Sequence, residues 1–163
     1  MSAAGRSKPE TLRVVLATTN RGKLADFRLL FHDSGIDLVA PADVGITLDV
    51  EETGETFLDN ALLKARAHVA ATGGPPVIPA GNLTGLPALA DDSGIIAHAL
   101  GNEPGVRSAR YAGEPSDDHA NNRLLIEKLR DVADRRASCL CALALVLPDG
   151  REITAEGRCD GRI

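Results

Sequence analysis

The first residues that could bind a charged ligand follow a short apolar run near the start of the chain. They are Thr18, Thr19, Asn20, Arg21, Gly22 and Lys23, and a helical pattern comes next. Unpaired N–H groups and the dipole at a helix N-terminus favour phosphate, and Lys23 adds a positive charge there. The spacing matches neither G-x-x-x-x-G-K-[ST] nor G-x-G-x-x-G. An ordinary helix start capped by Asn20 would give the same pattern.

Two adjacent carboxylates, Asp91 and Asp92, could hold a hard cation. They follow the apolar residues 88–90, and the sequence predicts that they end a strand and lead into a turn at Ser93 and Gly94. Neighbouring side chains on a strand point to opposite faces, so we expect one to enter a site while the other braces the turn. Mg²⁺ usually takes one or two carboxylates together with phosphate oxygens. A hydrogen-bonded Asx turn is the alternative.

Further polar residues are weaker candidates. Glu51 or Glu52 could supply one more carboxylate, although a solvated acidic loop explains both better. Arg107, Arg110 and Tyr111 could help to hold a ligand, or the arginines could brace their own Gly/Pro-containing loop through carbonyl oxygens.

No zinc site or catalytic nucleophile is predicted from the histidines, the cysteines or Ser93. The histidines are scattered at His32, His68, His98 and His119. The cysteines are Cys139, Cys141 and Cys159. Neither H-E-x-x-H nor C-x-x-C occurs, and Ser93 lies outside any G-x-S-x-G motif. We therefore expect satisfied or surface histidines and reduced structural thiols.

The elements that must position these residues predict a single α/β (α+β) domain over residues 1–163. Predicted strands cover 12–18, 36–40, 88–90, 95–100, 138–147 and 151–158. Predicted helices cover 22–32, the stretch from 57 to about 72 behind a Thr56 cap, and 117–129 behind a Ser116 cap. Strands and helices alternate early and strands dominate late, which favours a mixed sheet. Residues 1–11 are expected to form a flexible leader and 73–87 an irregular surface excursion.

Composition excludes several classes of function. The formal net charge is -5 and aromatic residues make up 2% of the chain, so a basic nucleic-acid surface and base-stacking platforms are not expected. A small anionic substrate needs only a few local cations. No apolar segment resembles a signal peptide or a membrane span, which predicts a cytoplasmic protein that does not bind membranes.

Four motifs in order resemble the inosine/xanthosine triphosphate pyrophosphatase family. They are LATTNRGKLADF, ETGETFLDNALLKAR, LADDSG followed by PGVRSARYAG, and EGRCDGRI, spread from Val14 to the last residue. The resemblance implies an elongated mixed sheet flanked by helices, a homodimer and a Mg²⁺ cofactor. It also implies hydrolysis of non-standard purine nucleoside triphosphates to the monophosphate and pyrophosphate, which cleanses the nucleotide pool.

The same resemblance assigns roles to individual residues. Asp92 is expected to be the proton acceptor, and Glu52 and Asp92 the Mg²⁺ ligands. The expected substrate-binding residues are Thr18, Thr19, Asn20, Arg21, Gly22, Lys23, Asn60, Lys64 and Ser93, with Asp91 in support. Thr18, Asn20 and Lys23 are expected to make the main triphosphate contacts.

Two departures from the family pattern set further expectations. The Gly- and Pro-rich stretch 73–85 is longer than the family's usual connection and is expected to be a surface insertion. The family's base-pocket segments, G-F-G-Y-D-P and S-H-R, normally follow the EGRCDGRI motif and do not occur in this sequence. That predicts weak turnover with little discrimination among inosine, xanthosine and guanosine triphosphates.

The alternative function is that of a non-catalytic nucleotide-binding or dimerisation protein of the same fold. A third possibility, half of an NAD-binding oxidoreductase domain, is disfavoured because the G-x-G-x-x-G motif is absent.

Overall fold

The computed structural model describes residues 11–73 and 85–163, which build one mixed sheet flanked by helices. The strands are β1 (Leu12–Leu16), β2 (Ile36–Val39), β3 (Ala88–Ala97), β4 (Glu103–Pro104), β5 (Arg136–Val146) and β6 (Glu152–Arg162). The helices are α1 (Arg21–Leu30), α2 (Phe57–Ala71) and α3 (Asp118–Lys128). Almost all of the predicted leader and of the predicted insertion lies outside the described residues.

The sheet has the order β2-β1-β3-β5-β6, with the short β4 paired to the end of β3. β1 is parallel to both β2 and β3, whereas β5 is antiparallel to both of its neighbours, β3 and β6. Helices connect the parallel strands, as crossover connections require. The mixed α/β sheet predicted from the alternation of elements is thereby confirmed.

The two faces of the sheet bury different helices. On one face Ala61, Ala65 and Val69 of α2 pack against small residues of the central strands, such as Ala90 and Ala144, all at most 4% exposed. Small side chains on both sides let the helix lie close to the sheet. This close packing brings the polar residues of α2 near the polar residues of β3.

On the opposite face α1 covers a second cluster with only partly buried side chains. Leu24, Phe27 and Phe31 pack against Val14 and Leu16 of β1. Their spacing of three and four residues is the predicted helical stripe. The N-terminus of α1 therefore lies where β1 ends.

The predicted strand end at Asp91 is wrong, because β3 runs without a break from Ala88 to Ala97. The entire strand pairs with β5, from Ala88 opposite Val146 to Ala97 opposite Ala137. A continuous ladder of cross-strand hydrogen bonds outweighs the local preference of Asp, Ser and Gly for a turn. Asp91 and Asp92 therefore lie in mid-strand and point to opposite faces of the sheet.

Smaller differences concern the ends of elements. The predicted strand 95–100 ends at Ala97 and continues as a 3₁₀ turn, His98–Leu100. β6 extends to Arg162 because β5 pairs with it along its full length. Asp117, rather than Ser116, caps α3 by accepting the Ala120 N–H at 3.0 Å.

Between residues 11 and 73 and from 85 onwards, no helix combines the length and the apolar character that a bilayer crossing requires.

Candidate active site

A cleft of about 390 Å³ opens where β1 ends, between α1, α2 and the segment before α2. The polar residues that line it include Thr18, Asn20, Lys23, Glu52, Lys64 and Asp91. They come from four places in the sequence, and all of them were predicted to form or support the site. The fold therefore brings the turn before α1 together with Glu52 and Asp91 in one cleft.

The start of α1 forms through the side chain of Asn20. Its Oδ1 accepts the N–H groups of Gly22 at 2.8 Å and Lys23 at 3.2 Å. Thr18 Oγ1 in turn accepts the Asn20 N–H at 3.2 Å. Two of the amides expected to be free for phosphate are thus bonded to the cap, and an anion would have to exchange with it or use the neighbouring side chains.

Lys23 reaches from α1 across the end of β1 to β3. Its Nζ donates to Asp91 Oδ2 at 2.7 Å, and the Asp91 side chain is only 5% exposed. The sequence did not predict this ion pair. A bound phosphate would compete with Asp91 for the Lys23 ammonium.

Asp92 lies on the other face of β3, against α2. It is 8% exposed, and its Oδ2 accepts a hydrogen bond from Asn60 Nδ2 at 3.0 Å. Its Oδ1 accepts the Ser93 N–H at 3.0 Å. Burial raises the pKa of the Asp92 carboxyl above its ordinary value and Glu52 adds to the rise, whereas the Lys64 charge and the Asn60 hydrogen bond oppose it. A buried carboxylate with a raised pKa is a stronger base than an exposed one.

Asn60 joins Asp92 to the loop before α2. It is fully buried, and its Oδ1 accepts the Gly54 N–H at 2.8 Å. A Cβ at Gly54 would lie 2.6 Å from Asp59 Cβ and 2.7 Å from Asn60 Oδ1, so only glycine fits. Thr56 and Asp59 close the helix start with reciprocal hydrogen bonds, as the Thr56 cap predicts. Gly54 escaped the sequence analysis, although its position two residues before a cap was a usable signal.

Lys64 lies between the two carboxylates expected to bind metal. Its Nζ donates to Glu52 Oε1 at 2.9 Å and lies 3.8 Å from Asp92 Oδ1. Carboxylates that converge on one ammonium group can also share a divalent cation, so this donor set fits Mg²⁺ completed by substrate oxygens and water. Within the described residues no group of three or more His, Cys, Asp or Glu side chains is arranged to hold a metal.

Several predicted residues lie outside this cleft. Arg21 and Gly22 form the first turn of α1, and both are exposed. Ser93 is exposed on the α1 side of the sheet, and its backbone N–H is what reaches Asp92. Glu51 is exposed and faces away, beside Glu114.

The weaker candidates turn out to brace the structure. Arg110 Nη2 donates to the Glu52 carbonyl oxygen at 3.1 Å, so it holds the acidic loop before α2 rather than its own Gly/Pro-containing loop. The Tyr111 hydroxyl donates to Glu103 at 2.7 Å, and neither residue lines the cleft. Cys139 and Cys159 are free thiols as expected, but they are exposed rather than packed in a core.

His68 is a cleft residue that the sequence analysis did not single out. It lies four residues after Lys64 in α2, and this spacing places both side chains on one helix face. That spacing was the available signal, and the scatter of the four histidines along the sequence concealed it.

The chain is similar to known proteins over most of its length. Residues 14–163 match the Ham1 family. A protein of Burkholderia pseudomallei named dITP/XTP pyrophosphatase is 47% identical over 156 residues, which span 93% of this chain and 69% of that protein. A dITP/XTP pyrophosphatase of Streptomyces coelicolor is 44% identical over 155 residues, with 93% and 72% covered.

Solved structures share the fold. The Ham1 protein of Staphylococcus aureus superposes with a TM-score of 0.76 at 37% identity, covering 93% of this chain and 71% of that one. A HAM1 protein from Coxiella burnetii gives a TM-score of 0.79 at 38% identity, covering 93% and 73%. With the family match spanning nearly the whole chain, this protein belongs to the Ham1 family.

Proposed function

We propose that this chain hydrolyses non-standard purine nucleoside triphosphates, such as dITP and XTP, to the monophosphate and pyrophosphate. The names of its relatives supply the substrate class. The observation that carries the proposal is the buried Asp92, held by Asn60 beside a cleft that contains two lysines. A hydrolase of polyphosphates needs this combination of a base and positive charge.

Lys23 and Lys64 bind the phosphate chain in this proposal. Each is held in the free protein by a carboxylate, Lys23 by Asp91 and Lys64 by Glu52. These pairs position the ammonium groups before substrate arrives. Thr18 and Asn20 at the start of α1 supply further polar contacts to the same phosphate chain.

Glu52 and Asp92 would hold Mg²⁺ together with oxygens of the substrate. When bound, this ion neutralises charge on the phosphoryl oxygens and on the leaving pyrophosphate. Lys64 would then exchange one of its carboxylate contacts for a phosphate oxygen. Asn60 keeps its hydrogen bond to Asp92 and so fixes the direction of that carboxylate.

Asp92 orients a water molecule and accepts its proton as the water attacks the α-phosphorus. The bond to the bridging oxygen breaks, and pyrophosphate leaves with its negative charge paired to Lys23 and Lys64. The pKa of Asp92, raised by burial, makes it a better proton acceptor than an exposed aspartate.

Three further points belong to the same proposal. The chain acts as one domain, it works as a homodimer, and it lies in the cytoplasm, where nucleotides for nucleic-acid synthesis are held. The first is supported by the single sheet of the described residues. The other two are supported by the motifs that the chain shares with the inosine/xanthosine triphosphate pyrophosphatases.

The test compares the wild-type protein with Asp92→Asn, using the exposed Asp131→Asn as a matched control. Loss of a general base typically lowers turnover by about 10²- to 10⁴-fold, and we expect that loss for Asp92→Asn with triphosphate binding largely retained. Asp131→Asn should behave as wild type. Near-normal turnover by Asp92→Asn would show that Asp92 is not the proton acceptor. Triphosphate binding without turnover by the wild type would instead favour a non-catalytic nucleotide-binding protein.

A further inference from the structure

His68 lines the cleft, and one of its ring nitrogens already forms a hydrogen bond. The residue is 4% exposed, and its Nδ1 lies 2.8 Å from the carbonyl oxygen of Lys64, one helical turn earlier. A carbonyl oxygen can only accept a hydrogen bond, so Nδ1 must carry the hydrogen. The ring is therefore fixed in orientation, and only Nε2 is available to a ligand.

The second ring nitrogen of His68, Nε2, is the atom that a ligand in the cleft could meet. Among residues 11–73 and 85–163 nothing forms a hydrogen bond with it. Within the same residues, every fully buried side-chain nitrogen or oxygen has a partner. Nε2 must therefore keep some accessible surface, and the cleft that His68 lines with Thr18 and Lys64 is where a ligand can meet it.

The surroundings of His68 determine which ligand atoms it can meet. Charged groups on the same cleft are Lys64 of α2, Asp49 and Glu52 before α2, Lys23 of α1 and Asp91 of β3. The two lysines make the cleft suitable for phosphoryl oxygens, which accept hydrogen bonds and donate none. A neutral imidazole with hydrogen on Nδ1 would present only a lone pair to such an oxygen. A doubly protonated ring would present an N–H and a positive charge.

We propose that His68 is a further phosphate-binding residue, which takes up one proton from solvent as the triphosphate binds and donates its Nε2–H to a phosphoryl oxygen. The inference rests on the proposed function, because it places the phosphate chain in this cleft. The proton balances one negative charge of the ligand and returns to solvent when the product leaves. When phosphate is bound, His68 thus adds a third cation beside Lys23 and Lys64.

Two neutral substitutions separate this role from a structural one. His68→Asn keeps a donor near the position of Nδ1 and removes Nε2, whereas His68→Gln keeps an uncharged amide near the position of Nε2. Hydrogen bonds to charged groups correspond to roughly tenfold or more in binding, so we expect KM of His68→Asn to rise roughly tenfold at pH 6.5. The KM ratio to wild type should shrink towards about one at pH 8.5, where imidazole is mostly neutral, with kcat changed by less than about twofold. His68→Gln should give a smaller rise in KM.

The matched control is His32→Asn, because the His32 side chain is 79% exposed on another part of the surface. Its KM should equal that of wild type at both pH values. Taking the ratio of variant to wild type cancels the titration of the substrate's own phosphates. A KM ratio for His68→Asn that is the same at both pH values, or a loss confined to kcat, would overturn the proposal in favour of a packing role.

Proton uptake can be measured without turnover. Titration calorimetry with inorganic triphosphate as the probe, in two pH 7 buffers of different ionisation enthalpy, gives the number of protons bound. We expect uptake by wild type and His32→Asn that is larger than uptake by His68→Asn. Equal uptake by all three proteins would refute the role of His68. Absence of nucleotide hydrolysis by a wild-type protein that shows the His68-dependent uptake would contradict the proposed function but not this inference.

Discussion

Replacing Asn60 by Asp tests the buried link between Gly54, Asn60 and Asp92. The substitution keeps the volume of the side chain and the acceptor for the Gly54 N–H, but it replaces the amide that donates to Asp92 at 3.0 Å by a second carboxyl group. Two carboxylates at that separation repel by about 5 kcal/mol at an effective dielectric constant of about 20. Protonating one of them at pH 7 costs about 4 kcal/mol, which is the smaller penalty.

We therefore expect Asn60→Asp to lose up to about 4 kcal/mol of unfolding free energy at pH 7, with one proton shared by the pair. The pKa of the pair in the folded protein is then raised above that of the unfolded chain. A group whose pKa is raised on folding makes its full contribution to the unfolding free energy at low pH. That contribution is lost as the pH rises through the pKa of the folded protein. The loss should accordingly shrink between pH 7 and pH 5, because the protonated carboxyl can donate the hydrogen bond again.

The assay is urea unfolding of wild type, Asn60→Asp and the exposed Asn122→Asp at both pH values. Asn122→Asp makes the same change in net charge and should stay within about 0.5 kcal/mol of wild type. The reasoning about Asp92 is refuted if Asn60→Asp is as stable as wild type at pH 7. It is equally refuted if the loss is independent of pH.

Three other outcomes are expected. Lys23→Ala should raise KM and lower kcat/KM by roughly tenfold or more in pyrophosphate-release assays, because a charge that binds phosphate is lost; unchanged kinetics would place the phosphates elsewhere. Gly54→Ala should lower the unfolding free energy by about 1–3 kcal/mol in urea, since its Cβ would overlap Asn60, and a neutral effect would contradict the close approach. Lys64→Met should raise the pKa of Asp92 further, because the positive charge of Lys64 opposes the increase caused by burial. An NMR titration of metal-free protein measures this pKa, and a lower pKa in the variant would contradict the ion-pair geometry.

The local pattern of the sequence predicted most of the elements and the turn before α1, whereas Lys64 and the choice of Glu52 over Glu51 came from the family resemblance. The apolar run before Thr18, the helical stripe of α1 and the Thr56 cap each depend on neighbouring residues, and all three occur near the predicted positions. Lys23, Lys64 and Glu52 then meet because parallel strands and their helices place them at one end of the sheet.

The remaining features depend on pairing between distant segments, which local pattern does not contain. β3 continues through Asp91 and Asp92 because β5 pairs with it over ten residues. The Lys23–Asp91 ion pair joins residues 68 positions apart, and Asn60 meets Asp92 across 32 positions. The cleft position of His68 likewise depends on how α2 packs against the sheet, and the spacing of the histidines in the sequence does not reveal it.

The most direct test of the central claim is the identity of the products. The wild-type protein is incubated with dITP or XTP and Mg²⁺, and the phosphorus-containing products are followed by ³¹P NMR. Attack at the α-phosphorus with Asp92 as base predicts equal amounts of the nucleoside monophosphate and pyrophosphate. Formation of the diphosphate and inorganic phosphate, or no turnover of either nucleotide, would contradict the account.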